Sequence, residues 1–114
     1  MDLYCKIFID SDKDRNELFC ELVSFMVGKA ERFDIECDWC GAYLANNSWY
    51  SEKEYAKDPS DFVNWRYYLE IQPNDTEQGK IEQEAYIQAL KELLVFFRKL
   101  CRGAVPSCDY EEIL

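Results

Sequence analysis

Residues 62–73 read FVNWRYYLEIQP, and in this stretch Val63, Trp65, Tyr67, Leu69 and Ile71 alternate with Phe62, Asn64, Arg66, Tyr68 and Glu70. A period of two puts the first set on one face of an extended chain and the second on the other. Aromatic and β-branched residues suit a pleated surface, and Pro73, which lacks the N–H a ladder needs, ends the run. Large apolar groups stand on both faces. The pattern predicts a strand inside a sheet, and the rest of the chain has to supply its neighbours.

Residues 3–9, LYCKIFI, set Leu3, Cys5, Ile7 and Ile9 against Tyr4, Lys6 and Phe8, which predicts a first strand. Residues 31–38, ERFDIECD, set Phe33, Ile35 and Cys37 against Arg32, Asp34, Glu36 and Asp38, a half-buried strand with an acidic outer side. The pattern resumes in AYLANN after Gly41, where an isolated glycine predicts a bulge. AVPSCDY supplies a short fourth strand, and Pro106 within it favours a sheet edge.

Two helices separate these strands. SDKDRNE offers the capping pairs Ser11 with Asp14 or Asp14 with Glu17, and Leu18, Leu22, Phe25 and Met26 then recur at helical spacing up to Gly28. This predicts a helix over 12–27. PNDTEQGK has the composition of a turn and cap, and from Ile81 onwards Ala85, Tyr86, Ala89, Leu90, Leu93, Phe97 and Leu100 form a broad apolar stripe. Arg98, Lys99 and Arg102 suit the negative end of a helix dipole, so the second helix runs to Leu100 or Cys101, before Gly103.

The order β-α-β followed by β-α-β predicts an α+β fold, a ferredoxin-like split βαβ sandwich whose four-stranded antiparallel sheet carries two helices on one face. A chain of 114 residues, 1–114, is a single domain that can bury roughly two-thirds of its unfolded surface without metals or crosslinks. By parity alone, the uncovered face would show Tyr4, Lys6, Phe8, Asp34, Glu36, Asp38, Arg66, Tyr68 and Glu70. Residues 47–61, NSWYSEKEYAKDPSD, have little periodicity and form a long loop carrying Trp49, Tyr50 and Tyr55.

CDWCG, residues 37–41, is the stretch that most invites a chemical reading. A redox C-x-x-C draws its low thiol pKa from a helix N-terminus. Here the motif ends an acidic strand beside Asp38, a neighbour expected to raise the pKa, and no helical pattern follows. WCG resembles part of a thioredoxin active site, but the partner cysteine stands before the tryptophan instead of after it. Zinc needs four ligands, and Cys5, Cys20, Cys101 and Cys108 match no finger spacing, so no metal and no cofactor is expected. Most of the cysteines fall on apolar faces, where a thiol serves as a small core residue. The chain has no histidine, P-loop, G-x-G-x-x-G or HExxH, and carboxylate pairs among 23 acids are too common to mark a site, so an enzyme is not expected.

Charge narrows the partners. The chain carries 23 acidic against 13 basic residues, a net −10, with eight acids and three bases in residues 31–61. Such a field repels nucleic acid and anionic membrane and speeds encounter with a basic partner by about 10-fold or more at low salt. Phe8 and Tyr68, interleaved with Lys6 and Arg66, could stack bases as RNA-binding sheets do, but Asp34, Glu36, Asp38 and Glu70 share that face and oppose phosphate. MDLYCKIFID lacks the basic segment and apolar run of a signal peptide, and no apolar run approaches the ~20 residues of a membrane span. A cytoplasmic location with reduced cysteines is the expectation.

Protein binding is what remains. Asp34, Glu36, Asp38 and Glu70 would steer a cationic partner, and Trp49, Tyr50 and Tyr55 would anchor it, unless those aromatics fold back onto the core. The other reading is a structural or regulatory sheet module that forms a homodimer or holds a small ligand on its open face. A thiol enzyme would need a reactive cysteine.

Size, acidic balance, the stretch FVNWRYYLEIQP leading into a long helix and the terminal CDYEEIL together resemble the small acidic immunity proteins of bacterial contact-dependent growth inhibition and related polymorphic-toxin systems. The likeness covers most of the chain in outline and carries over no binding residue position by position. It implies a cytoplasmic inhibitor of a protein toxin, often a basic nuclease domain, whose active site it blocks or distorts.

Overall fold

The computed structural model describes residues 2–74 and 82–114. Cys5–Asp10 form β1, Arg15–Met26 α1, Lys29–Glu31 β2, Asp34–Glu36 β3, Cys40–Asn46 β4, Glu52–Lys57 α2, Tyr67–Pro73 β5, Gln83–Leu100 α3 and Gly103–Ser107 β6. The strands build one antiparallel sheet in the order β2-β3-β4-β5-β1-β6. The α+β class holds, but the sheet has six strands where four were expected. As anticipated, β5 lies inside, between β4 and β1, and β6 with its Pro106 forms an edge.

The two additional strands come from the stretch expected to be one. Arg32 and Phe33 have φ of 49° and 72°, so the chain reverses between Glu31 and Asp34 in a two-residue turn. Positive φ at both central positions gives a hairpin turn whose twist matches that of the flanking strands, and Asn-Gly is its usual sequence. Here side-chain contacts hold it instead. Phe33 packs edge-on against Phe19 of α1 at 5.2 Å, and the Arg15 guanidinium lies 3.7 Å from its ring centroid. The break between β3 and β4 is likewise a turn at 37–40 and not a bulge at Gly41, whose strand pairs in unbroken register with β5.

α1 starts where the second capping pair placed it, with Asp14 Oδ1 accepting from Glu17 N–H at 2.9 Å. It buries Leu18, Leu22 and Met26, while α3 buries Tyr86, Ile87, Leu90, Leu93, Leu94 and Phe97. These meet Cys5, Ile7, Ile9, Ile35, Leu44, Tyr67, Leu69 and Ile71 of the sheet in one cluster, so both helices lie on the same face. Each fully buried leucine or isoleucine contributes about 2 kcal/mol, which makes α3 the larger contributor to the core. Two stripe positions differ from expectation: Ala85 is exposed, and Phe25 leaves the core to stack on Phe96 at 4.3 Å. Ile81 and residues 75–80 of the expected cap lie outside the described residues.

The other face is only partly open, which corrects the parity expectation. Phe8 is 8% exposed because Phe62 lies 5.3 Å from it, ring to ring. Residues 62–66 do not extend β5: Phe62–Asn64 make a 3₁₀ turn whose Asp61 Oδ1 accepts from Val63 N–H. A local side-chain acceptor of this kind competes with the ladder. Val63 is left exposed and Trp65 crosses to the outer side, where a Cβ on Gly103 would approach its ring to 2.6 Å. Asn47 fixes the arrangement by donating Nδ2–H to the Val63 and Trp65 carbonyls at 2.8 and 2.7 Å. No helix among the described residues is long and apolar enough to cross a membrane.

Candidate functional site

Three strand pairings assemble the uncovered part of the outer face. Glu31 stands opposite Asp34, Asp34 opposite Tyr43 and Tyr43 opposite Glu70, so one row runs across β2, β3, β4 and β5. The next row is Lys29, Glu36, Gly41 and Gln72. With Tyr4 from the entry to β1, these side chains line a concavity of about 600 Å³. Gly41 leaves its floor open, since nothing stands within 4 Å of where a Cβ would be.

The concavity holds four carboxylates, Glu31, Asp34, Glu36 and Glu70, against the single ammonium of Lys29. Among the described residues no lysine or arginine nitrogen comes within 4.0 Å of any of the four. Glu31 faces Asp34 directly across the hairpin, and like charges in that position are destabilising by a few tenths of a kcal/mol or more, whereas Glu36 faces Lys29 and Glu70 faces Lys6, pairs of opposite sign. Burial and then the negative charge of Glu70 raise the pKa of Tyr4, so its hydroxyl stays protonated and able to donate. No three Cys, Asp or Glu side chains among the described residues converge closely enough to hold a metal ion.

A second, smaller recess of about 220 Å³ lies at the other end of the same strands, beyond Phe8 and Tyr68. Asp10 is buried there, bridged by Arg102 Nη2 at 2.9 Å, with the Tyr55 hydroxyl donating to its Oδ2 at 3.0 Å. Arg102 also pairs with exposed Asp12. Tyr50, Glu52 and Arg66 complete the wall. Its charges are largely matched internally, so it reads as the lock that holds the loop to the sheet.

CDWCG occupies the turn that joins β3 to β4. Cys37 N–H donates to the Cys40 carbonyl at 3.0 Å, and the two sulfurs lie 3.2 Å apart. The Cys37 thiol is held down to about 6, first by the Cys40 thiol donating to it and then, against the cost of burial, by the N–H groups of Trp39 and Cys40. Asp38 acts in the expected upward direction but is the weakest of these influences, so the expectation of a raised pKa is corrected. The Cys40 thiol is pushed up, by the same hydrogen bond and by burial. Among the other thiols, Cys5 lies in the core and is likewise pushed up by burial.

Of the residues singled out in the sequence, Asp34, Glu36 and Glu70 come together in the acidic concavity, while Asp38 is exposed on the cysteine turn beside it. Trp49 projects from the loop, 71% exposed. Tyr50 and Tyr55 pack edge to face at 6.3 Å in the second recess. Carboxylates and aromatics thus occupy opposite ends of the strands and do not form one site. Glu31, Lys29 and Tyr43 were missed. The one signal that could have found the hairpin is the consecutive polar pair Glu31-Arg32, which interrupts the alternation begun by Lys29 and Ala30. Comparison with protein-family models, with curated proteins and with solved structures finds no match.

Proposed function

We propose that this chain is a cytoplasmic immunity protein that binds the toxic domain of another protein and neutralises it through the acidic concavity. The observation that carries the reading is that Glu31, Asp34, Glu36 and Glu70 share one hollow without a basic partner within 4.0 Å among the described residues. Glu31 and Asp34, like charges directly opposite each other, lower stability, and attraction of a cationic surface is a use of the acidic field that offsets this cost. A nuclease domain, whose cleft is built to hold phosphates, presents such a surface. Trp49, 71% exposed at the other end of the strands, supplies a second, separate aromatic contact for a partner large enough to reach it. The strand order β4-β5-β1-β6 with α1 and α3 as crossovers supports a finer reading of the scaffold: a ferredoxin-like core to which the β2-β3 hairpin is added. That hairpin contributes the acidic rim.

The test asks first whether a large secreted protein is encoded immediately upstream of this chain, and then takes that protein's C-terminal domain; the absence of such a neighbour would count against the reading. Co-expression should protect cells from that domain, and Asp34→Lys, Glu36→Lys and Glu70→Lys together should abolish protection. Association at low salt should slow by about 10-fold or more, and its salt dependence should flatten. Unchanged protection and association rate in the triple variant would remove the acidic face from the mechanism. A face-to-face homodimer is disfavoured by the same charges, which two copies would bring into opposition, and sedimentation at physiological salt should show a monomer.

A further inference from the structure

We propose that Cys37 and Cys40 form a thiol–disulfide exchange centre, in which Cys37 attacks a small aliphatic disulfide of the glutathione type and Cys40 resolves the product into an intramolecular disulfide across the β3-β4 turn. The inference stands apart from the docking role. It rests first on position: the two sulfurs are 3.2 Å apart, near enough to bond with little movement of the chain. The turn is braced from outside, with Asn74 Nδ2–H donating to the Cys37 carbonyl at 2.6 Å and Asn74 N–H to the Trp39 carbonyl at 3.4 Å. Trp39 between them is seated edge-on against Tyr86 at 5.6 Å. The spacing of the sulfurs is therefore a property of the fold.

The pair is also asymmetric in the way exchange requires. Cys37 is half-buried and reachable, whereas Cys40 is 0% exposed and faces the core cluster. The hydrogen bonds around the attacking sulfur lower its pKa, and the hydrogen bond from the resolving thiol, with burial, favours the proton on the latter. In the first step the Cys37 thiolate bonds to one sulfur of RSSR, and the second leaves as RS⁻. In the second step Cys40 gives its proton to RS⁻, its sulfur bonds to that of Cys37, and the other RS⁻ departs. Cys37 and Cys40 are oxidised by two electrons and RSSR is reduced to RSH and RS⁻, the second taking its proton from water. The ring spans only residues 37–40, so closing it removes little chain entropy and leaves a disulfide that a dithiol can reopen.

Trypsin places both cysteines, and no other, on the peptide 33–53. With oxidised glutathione, this peptide from the folded protein should lose two hydrogens. Cys40→Ser should accumulate a glutathione adduct at Cys37, and Cys37→Ser should form none at Cys40. Thiolate fraction and nucleophilicity pull in opposite directions as a thiol pKa falls, with a Brønsted slope of about 0.4–0.5. At pH 6 the folded chain should therefore react roughly 20-fold faster than the urea-unfolded chain, and at pH 10 about as much slower. Access alone would shift both ratios in one direction. Absence of the 37–40 disulfide, or a folded-to-unfolded ratio that does not invert with pH, would overturn the proposal.

Discussion

A carboxylate placed where Asp10 stands, 6% exposed at the end of β1, has to be met by a cation, and Arg102 meets it at 2.9 Å from just beyond the end of α3. Tyr55 adds a hydrogen bond at 3.0 Å from α2, the short helix that forms within the stretch 47–61 expected to be a loop. Removing the guanidinium strands a buried charge, while the remaining solvent access softens the loss, so Arg102→Ala should lower stability by about 2 kcal/mol in urea denaturation. Tyr55→Phe should cost about 1 kcal/mol, because only one neutral donor is lost. Cys37 makes a prediction of a different kind. Its folded pKa, about 6, lies below the ordinary thiol value of 9.0. Between those values the unfolded state binds the proton the folded state has released, so stability rises with pH. The stability of the wild type over Cys37→Ser should widen from pH 6 to pH 9 and vanish as pH falls through 6. A constant difference would mean that the thiol is not held as thiolate.

Among elements, the β2-β3 hairpin is where local preference and tertiary contact disagree. Phe33 earns its positive φ through Phe19 and Arg15, but Arg32, at φ 49°, is exposed and gains no comparable contact from its side chain among the described residues. Asn tolerates this conformation far better than arginine, so Arg32→Asn should stabilise the protein by about 0.5–1 kcal/mol, read as a higher urea midpoint at unchanged slope. The same conflict explains what sequence reading reached. β1, the inner position of β5, the edge position of β6, the Asp14 cap and the stripe of α3 follow from periodicity and capping, which are local. The turn at Arg32-Phe33 violates local turn chemistry and is held by α1, so no local pattern announces it. Trp65 likewise kept strand parity on paper, but the cap at Asp61 and the Asn47 side chain took its segment out of the ladder. For the site, parity was enough to bring out Asp34, Glu36 and Glu70. Glu31 and Tyr43 needed the register of the hairpin, and the state of Cys37 needed a hydrogen bond that only the closed turn creates.

For the whole molecule, net charge and its placement decide whether the acidic concavity is scaffold or instrument. A net charge of −10 on 114 residues is self-repelling, and four carboxylates gathered around one lysine concentrate that repulsion on one side of the sheet. If those groups served the fold, neutralising them would weaken it. Glu31 and Asp34 face one another, whereas Glu36 stands opposite Lys29 and Glu70 opposite Lys6, so the opposite should happen at the Glu31–Asp34 pair. Glu31→Gln and Asp34→Asn together should raise stability by about 0.5–1 kcal/mol at low ionic strength. Raising salt to about 1 M shortens the screening length to roughly 3 Å, so the gain should largely disappear there. The same variant should bind the basic partner proposed above more weakly. Stability gained where affinity is lost is the signature of residues kept for binding. If the variant were less stable at low salt, these carboxylates would instead belong to the architecture of the sheet.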